Sequence, residues 1–237
     1  QDVVDSTMKI SSELLKAEHA VGGNYPVVVD NHLGGVFTHE AVGHACEADI
    51  VLQKGSVFLN MLNKKIASQI VTIKDSGIIK GLNGWVPFDD EGVEGQETVL
   101  VKNGMLSGYL HSRETASLMK VDATGNGRAE GLLYNPIPRM RTTYTCPGDS
   151  NFEEMLSGIR DGYYLKGSSG GQVFPATGEF LFNAQYGYKI KNGEVKQMVK
   201  KVALMGNILE TMPRIELIGK DLKFGHGTCG KDGQRVP

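Results

Sequence analysis

Two histidines five residues apart, with a glutamate directly after the first, constrain this chain more than any other feature: His39–Glu40–Ala41–Val42–Gly43–His44. Two neutral imidazoles can hold a metal ion, and the carboxylate beside the first can take a proton from water polarised by that ion. The common form of such a helix reads His-Glu-x-x-His, with the histidines at i and i+4 on one face. At i and i+5 a regular α-helix of 3.6 residues per turn sets them roughly 140° apart, too divergent to share one ion easily. A one-residue π-bulge restores the common face, and such bulges collect at functional sites. Gly43 stands where that distortion is least opposed, because glycine is a weak helix former. The spacing therefore predicts either a bulged metal-binding helix or two unrelated histidines on a helix surface.

A histidine pair is incomplete by itself. A catalytic zinc site takes three protein ligands and keeps one position open. Glu47, Asp49, Cys46, His226 and Cys229 are the candidates for the third. Cys46 follows His44 by two residues, which points it away. Glu47 reaches a shared ion only if the helix continues past His44. Cys229 is remote in sequence but deliverable by the fold. A copper site built on Cys229 lacks the His and Met that should come just after the cysteine, since Lys231–Asp232–Gly233–Gln234 follow instead.

Composition narrows the remaining classes. A chain of 237 residues with 40% hydrophobic and 22% charged residues can bury a core of ordinary size. A net charge of −2 gives no field favouring nucleic acid or an anionic membrane. No apolar run reaches the roughly 18–20 residues that cross a bilayer. Three scattered cysteines, Cys46, Cys146 and Cys229, argue for a reducing compartment, hence the cytoplasm. The opening at Gln1, with no signal-like apolar segment, reads as the start of a piece of a longer protein.

The patterning predicts an α+β chain rich in antiparallel pairing, a sheet or barrel-like domain with a metal-binding helix and a few flanking helices. Residues 6–21 form an amphipathic helix, and Pro26–Asp30 holds a buried strand. The motif helix runs from about Val36 to Asp49, capped by Thr38 or the preceding loop. Asn103–Gly104 and Asn192–Gly193 each join alternating runs as hairpin turns. Further strands are expected at Ile70–Lys74, Tyr163–Leu165, Glu179–Ala184 and Gln197–Leu204. Ser112–Met119 forms a short helix, and Asp149 or Ser150 caps another over Phe152–Ile159. Neither Gly125–Asn126–Gly127 nor Gly167–Gln172 has the ending of a phosphate loop. The stretch around Cys229 reads as a flexible, backbone-exposed loop.

Taken in order, several short motifs resemble one family. Gly34–His44, Gly125–Arg128, Pro138–Met140, Gly170–Val173 and Cys229–Gln234 are similar to the TldD/PmbA metalloproteases, once labelled modulators of DNA gyrase. The intact histidine motif points to the catalytic, TldD-like branch. The resemblance implies that residues 1–237 are the C-terminal metalloprotease domain, with helix 6–21 linking to an absent N-terminal domain. It places metal ligands at His39, His44 and Cys229 and the catalytic glutamate at Glu40. It implies zinc, with iron or another transition metal as the alternative. It also implies a peptidase for unfolded or extended peptides, working as a homodimer or beside a TldE/PmbA-like subunit. On this reading Glu40 is the general base. Gly170, Gly171, Gln172 and Arg128 are candidate substrate contacts, because glycines let a peptide backbone approach closely. Neither direct nucleic-acid binding nor a membrane is expected. A non-catalytic peptide-binding module, or a gyrase modulator acting through a protein partner, is the alternative.

Overall fold

Turn chemistry sets much of the β-structure in the computed structural model, which describes residues 2–236. Asn103–Gly104 and Asn192–Gly193 all have positive φ, as a two-residue type I′ turn demands. They close the hairpins Glu97–Lys102/Met105–Leu106 and Tyr186–Lys191/Glu194–Lys200. A third turn of the same kind, Asp232–Gly233, joins Cys229–Lys231 to Gln234–Val236. The expected flexible loop around Cys229 is therefore a strand. Asp-Gly between two short runs was the signal for it.

The architecture is α+β and mostly antiparallel, and among the described residues no sheet closes into a barrel. A five-stranded sheet runs Glu18–His19, Glu194–Lys200, Tyr186–Lys191, Asp161–Lys166, Val27–Val29, with its two outer strands parallel to their neighbours. A four-stranded sheet orders Met105–Leu106, Glu97–Lys102, Ile73–Ser76, Thr142–Thr145. A three-stranded sheet orders Gly171–Phe174, Glu179–Asn183, Ala203–Asn207, which leaves Gly171–Phe174 as an edge. Residues Gly127–Arg128 and Ile137–Pro138 form a further two-stranded pair. One main core joins Ala41, Val42 and Ala45 of the histidine motif to Phe58, Leu100, Leu110, Leu165 and Phe182. Each large apolar side chain buried there contributes about 1.5–3 kcal/mol, so the motif segment is fixed from several sides.

Several boundaries differ from the sequence expectation. The N-terminal helix spans Asp2–Lys16 and stops short of Val21, because Glu18–His19 extends to pair with Val199–Lys200. The motif helix begins at Asn31, where the Asp30 carboxylate accepts from Leu33 N–H at 2.9 Å; Thr38 lies inside it. It also stops early, since Glu47 is extended, and Ala48–Leu52 starts anew. Asn151, rather than Asp149 or Ser150, caps Phe152–Ser157 through a capping box with Glu154. The run Gln197–Leu204 breaks at Lys201, whose φ of 52° ends one strand before the next enters a different sheet.

Gly43 has a packing role beyond its weak helix propensity. A Cβ there would collide with Met140 Sδ in the buried core. Gly43→Ala is expected to destabilise the protein by about 1–3 kcal/mol, the usual cost of overpacking. The helix propensity gained by alanine, up to about 1 kcal/mol, offsets only part of it. Urea unfolding measures the difference, and a variant as stable as its parent would show that Met140 yields freely.

Candidate metal centre

Residues Thr38–Gly43 form a π-helical turn between α-helix Asn31–Phe37 and a 3₁₀ turn over His44–Cys46. The His44 N–H donates to the His39 carbonyl, a bond spanning five residues. This is the distortion the histidine spacing requires. It brings the two rings edge to face, with centroids 5.1 Å apart. Neighbouring elements hold the turn. The Phe37 ring packs edge-on against Phe180 at 5.3 Å and Phe182 at 6.1 Å. The Thr38 hydroxyl donates to Gly34 O at 2.9 Å and lies 2.8 Å from the Thr145 hydroxyl.

The C-terminal hairpin carries Cys229 to the histidines. One ligand atom from each of His39, His44 and Cys229 lies within 4.8 Å of the others. Donors sharing one cation through bonds of about 2.0–2.3 Å lie up to about 4 Å apart, so the cluster has the right scale. His39 Nε2 is buried and makes no hydrogen bond among the described residues. A buried ring nitrogen without a partner is costly unless something occupies it. His44 Nδ1 donates to Glu47 Oε2 at 2.9 Å, which fixes the tautomer and turns Nε2 toward the cluster. The extended backbone at Glu47 folds its buried carboxylate back beneath His44. Glu47, a candidate third ligand from the sequence, thus faces the far side of the His44 ring. Two neutral imidazole nitrogens and a thiolate form a set that suits zinc and other borderline transition metals.

Electrostatics tie these residues to one another. Burial disfavours the Cys229 thiolate, but the facing His39 and His44 rings and the Arg139 cation overcome this and lower its pKa to about 5. Burial likewise opposes charge on His44, yet Cys229, Glu47 and Glu40 outweigh it and raise its pKa to about 10. Burial pushes Glu47 upward too, but His44, Lys231 and Arg139 hold its carboxyl below the usual range.

Glu40 Oε2 lies 3.7 Å from His44 Nε2, and its side chain is 28% exposed. It opens on a cleft of about 430 Å³ lined by His44, Ile50, Gln172, Val173, Phe174 and Lys231 among others. Gln172 is thus in the cleft. Gly170, with φ of 92°, turns the chain just before the edge strand. Gly171 pairs with Phe182, and a side chain on it would strike Leu181 O and the Phe182 ring. Arg128 is buried, donates to Met140 O at 2.8 Å and lines a second cavity of about 230 Å³ with Asp89, Asp90 and Arg235. Asp49 pairs with Lys231 at 2.9 Å, Cys46 is wholly buried, and His226 is exposed. Sequence reasoning missed Lys231, Ile50 and Val173–Pro175 as cleft residues, since no local pattern marks a cleft wall.

A family model described as PmbA/TldA metallopeptidase C-terminal domain matches residues 22–236. A metalloprotease of Methanocaldococcus jannaschii is 50% identical over 94% of the chain and 49% of its own length. A zinc metalloprotease TldD homologue of Saccharolobus solfataricus is 37% identical over 94% of the chain and 50% of its own length. The chain thus spans about half the length of these curated relatives. Among solved structures, TldE of Thermococcus kodakarensis superposes with a TM-score of 0.80 at 19% identity, over 99% of this chain and 53% of that one.

Proposed function

Because this chain belongs to the PmbA/TldA metallopeptidase family, we propose that His39, His44 and Cys229 hold a zinc ion and that Glu40 serves it as general base in peptide hydrolysis. The observation that supports this is the π turn, which sets both histidine rings within 4.8 Å of the Cys229 sulfur on the C-terminal hairpin, beside the partly exposed Glu40 carboxylate. Bound there, the cation supplies Lewis acidity toward a carbonyl and lowers the pKa of water to about 7. Glu40 Oε2 takes the proton of the attacking water and delivers it to the leaving amine as the C–N bond breaks. Glu47 keeps the His44 ring in its donor tautomer throughout.

The unpaired edge of Gly171–Phe174 lies along the same cleft. An extended peptide would add to it as a further strand, held by main-chain bonds that tolerate many sequences. Gly170, Gly171 and Gln172 then shape the start of that edge. Arg128, bonded to Met140 O, lines a separate cavity with Asp89 and Asp90. The alternative metals are iron and other borderline transition ions. The working protein is a cytoplasmic dimer, of like subunits or with a TldE-like partner, in which this chain is the C-terminal metallopeptidase domain. The metalloprotease names of the relatives support the metallopeptidase part of that reading. Among the described residues no helix is long and apolar enough to cross a membrane.

The test combines metal analysis of the purified chain with cleavage of an unfolded protein before and after chelation. About one zinc per chain, with activity lost on chelation and restored by zinc, is expected. A protein that binds no transition metal after reconstitution would refute the proposal.

A further inference from the structure

We propose that Arg139 is a positioning residue that couples the thiolate and imidazole sides of the metal centre, an inference that rests on the metal-site reading above. Arg139 is among the largest fully buried side chains of the protein. A guanidinium cannot shed its charge, so burying it is expensive unless anions surround it. Its surroundings meet that need on both sides. Nη2 donates to Cys229 Sγ at 2.7 Å and to Cys229 O at 2.9 Å. Nε faces Glu47 Oε1 at 3.5 Å, and Glu47 Oε2 accepts from His44 Nδ1. One planar group therefore links a donor on the C-terminal hairpin to the carboxylate that orients a donor on the π turn.

Other contacts hold the hairpin without touching the sulfur. Lys231 Nζ bonds Asp49 at 2.9 Å and Pro138 O at 2.5 Å. The Gln234 side chain accepts from Glu130 N–H and donates to Asn135 O, each at 3.1 Å. These dock the strand pair, as does Arg139 Nη1 through Gln234 O at 3.4 Å, but Arg139 bonds Sγ as well. Glu47 Oε1 and Arg139 Nε make no hydrogen bond among the described residues and face each other as an ion pair at 3.5 Å. A lysine has a single ammonium and cannot span thiolate and carboxylate in one plane.

The test is Arg139→Lys, with Glu47→Gln as a second variant, each loaded with Co²⁺ in place of zinc. Circular dichroism and melting of the metal-free proteins establish the fold. For R139K the expected result is a native fold, about 10–100-fold weaker Co²⁺ binding and a shifted thiolate-to-cobalt charge-transfer band. E47Q should also weaken binding, and the double variant should lose less than the sum, because both act on one linkage. A folded R139K with the parent's affinity and band overturns the proposal, as does strict additivity with E47Q. If R139K does not fold, Arg139 is structural and the proposal falls. A parent protein that gives no thiolate band refutes instead the assignment of Cys229 as a ligand, which separates the two readings.

Discussion

Glu40→Gln is expected to abolish peptide hydrolysis while leaving metal content unchanged. Glutamine has nearly the same shape but cannot accept a proton, so the donors keep their places while the base is lost. Removing a positioned general base lowers rates by roughly 10²–10⁴-fold. The Glu40 side chain lies on the open cleft, and its Oε2 is 3.7 Å from His44 Nε2. Solvent therefore reaches it, and the buried core is not disturbed by the change. The loss should appear in kcat more than in KM, because the carboxylate acts on the reacting water and not on bound peptide. A variant that cleaves unfolded protein at the parent rate would remove Glu40 from the mechanism. A variant that also loses its metal would mean that Glu40 is a ligand.

Cys229→Ala is the second large effect. It removes the one donor that comes from outside the histidine motif, leaving two imidazoles from one turn. Stoichiometric metal should be lost, and activity with it. Thermal stabilisation by metal should vanish as well. A ligand at 100 times its Kd stabilises the native state by about 2.7 kcal/mol, and this increment should be present in the parent and absent in the variant. Cys146→Ala is the control, because Cys146 lies outside the cluster and its thiol is pushed upward by burial rather than activated. Equal metal content in the Cys229 variant and its parent would exclude the cysteine from the site. The same experiment separates a peptidase from a peptide-binding module, since a mere binder would keep its peptide affinity without the metal.

Much of the fold was written in local sequence. The Asn-Gly turns fixed two hairpins because only a few residue types accept two successive positive φ values. The five-residue histidine spacing offered a wider turn as one of two readings, and Thr38–Gly43 forms it. Boundaries were less legible. The strand pairing of Glu18–His19 shortened a helix whose periodicity ran on. Asp30 capped the motif helix earlier than the glycines suggested, by winning a backbone N–H that no apolar pattern records.

The candidate site divides along the same line. His39, Glu40 and His44 lie within two turns of one another, so their relation follows from backbone geometry and can be read as a spacing. The meeting of Cys229 with them cannot, because nothing in the residues around either segment encodes a contact made so far along the chain. That contact exists because an Asp-Gly turn makes a hairpin and because buried Arg139 and Lys231 find carboxylates on the motif side. The sequence by itself narrowed the histidine pair to a bulged turn with a shared face or two unrelated side chains. Only the tertiary structure decided that a thiol would face them, that Glu47 would lie behind His44, and that a sheet edge would border the opening. Short-range order is set by torsions, whereas these last features depend on which distant charges and apolar faces satisfy one another once the chain is packed.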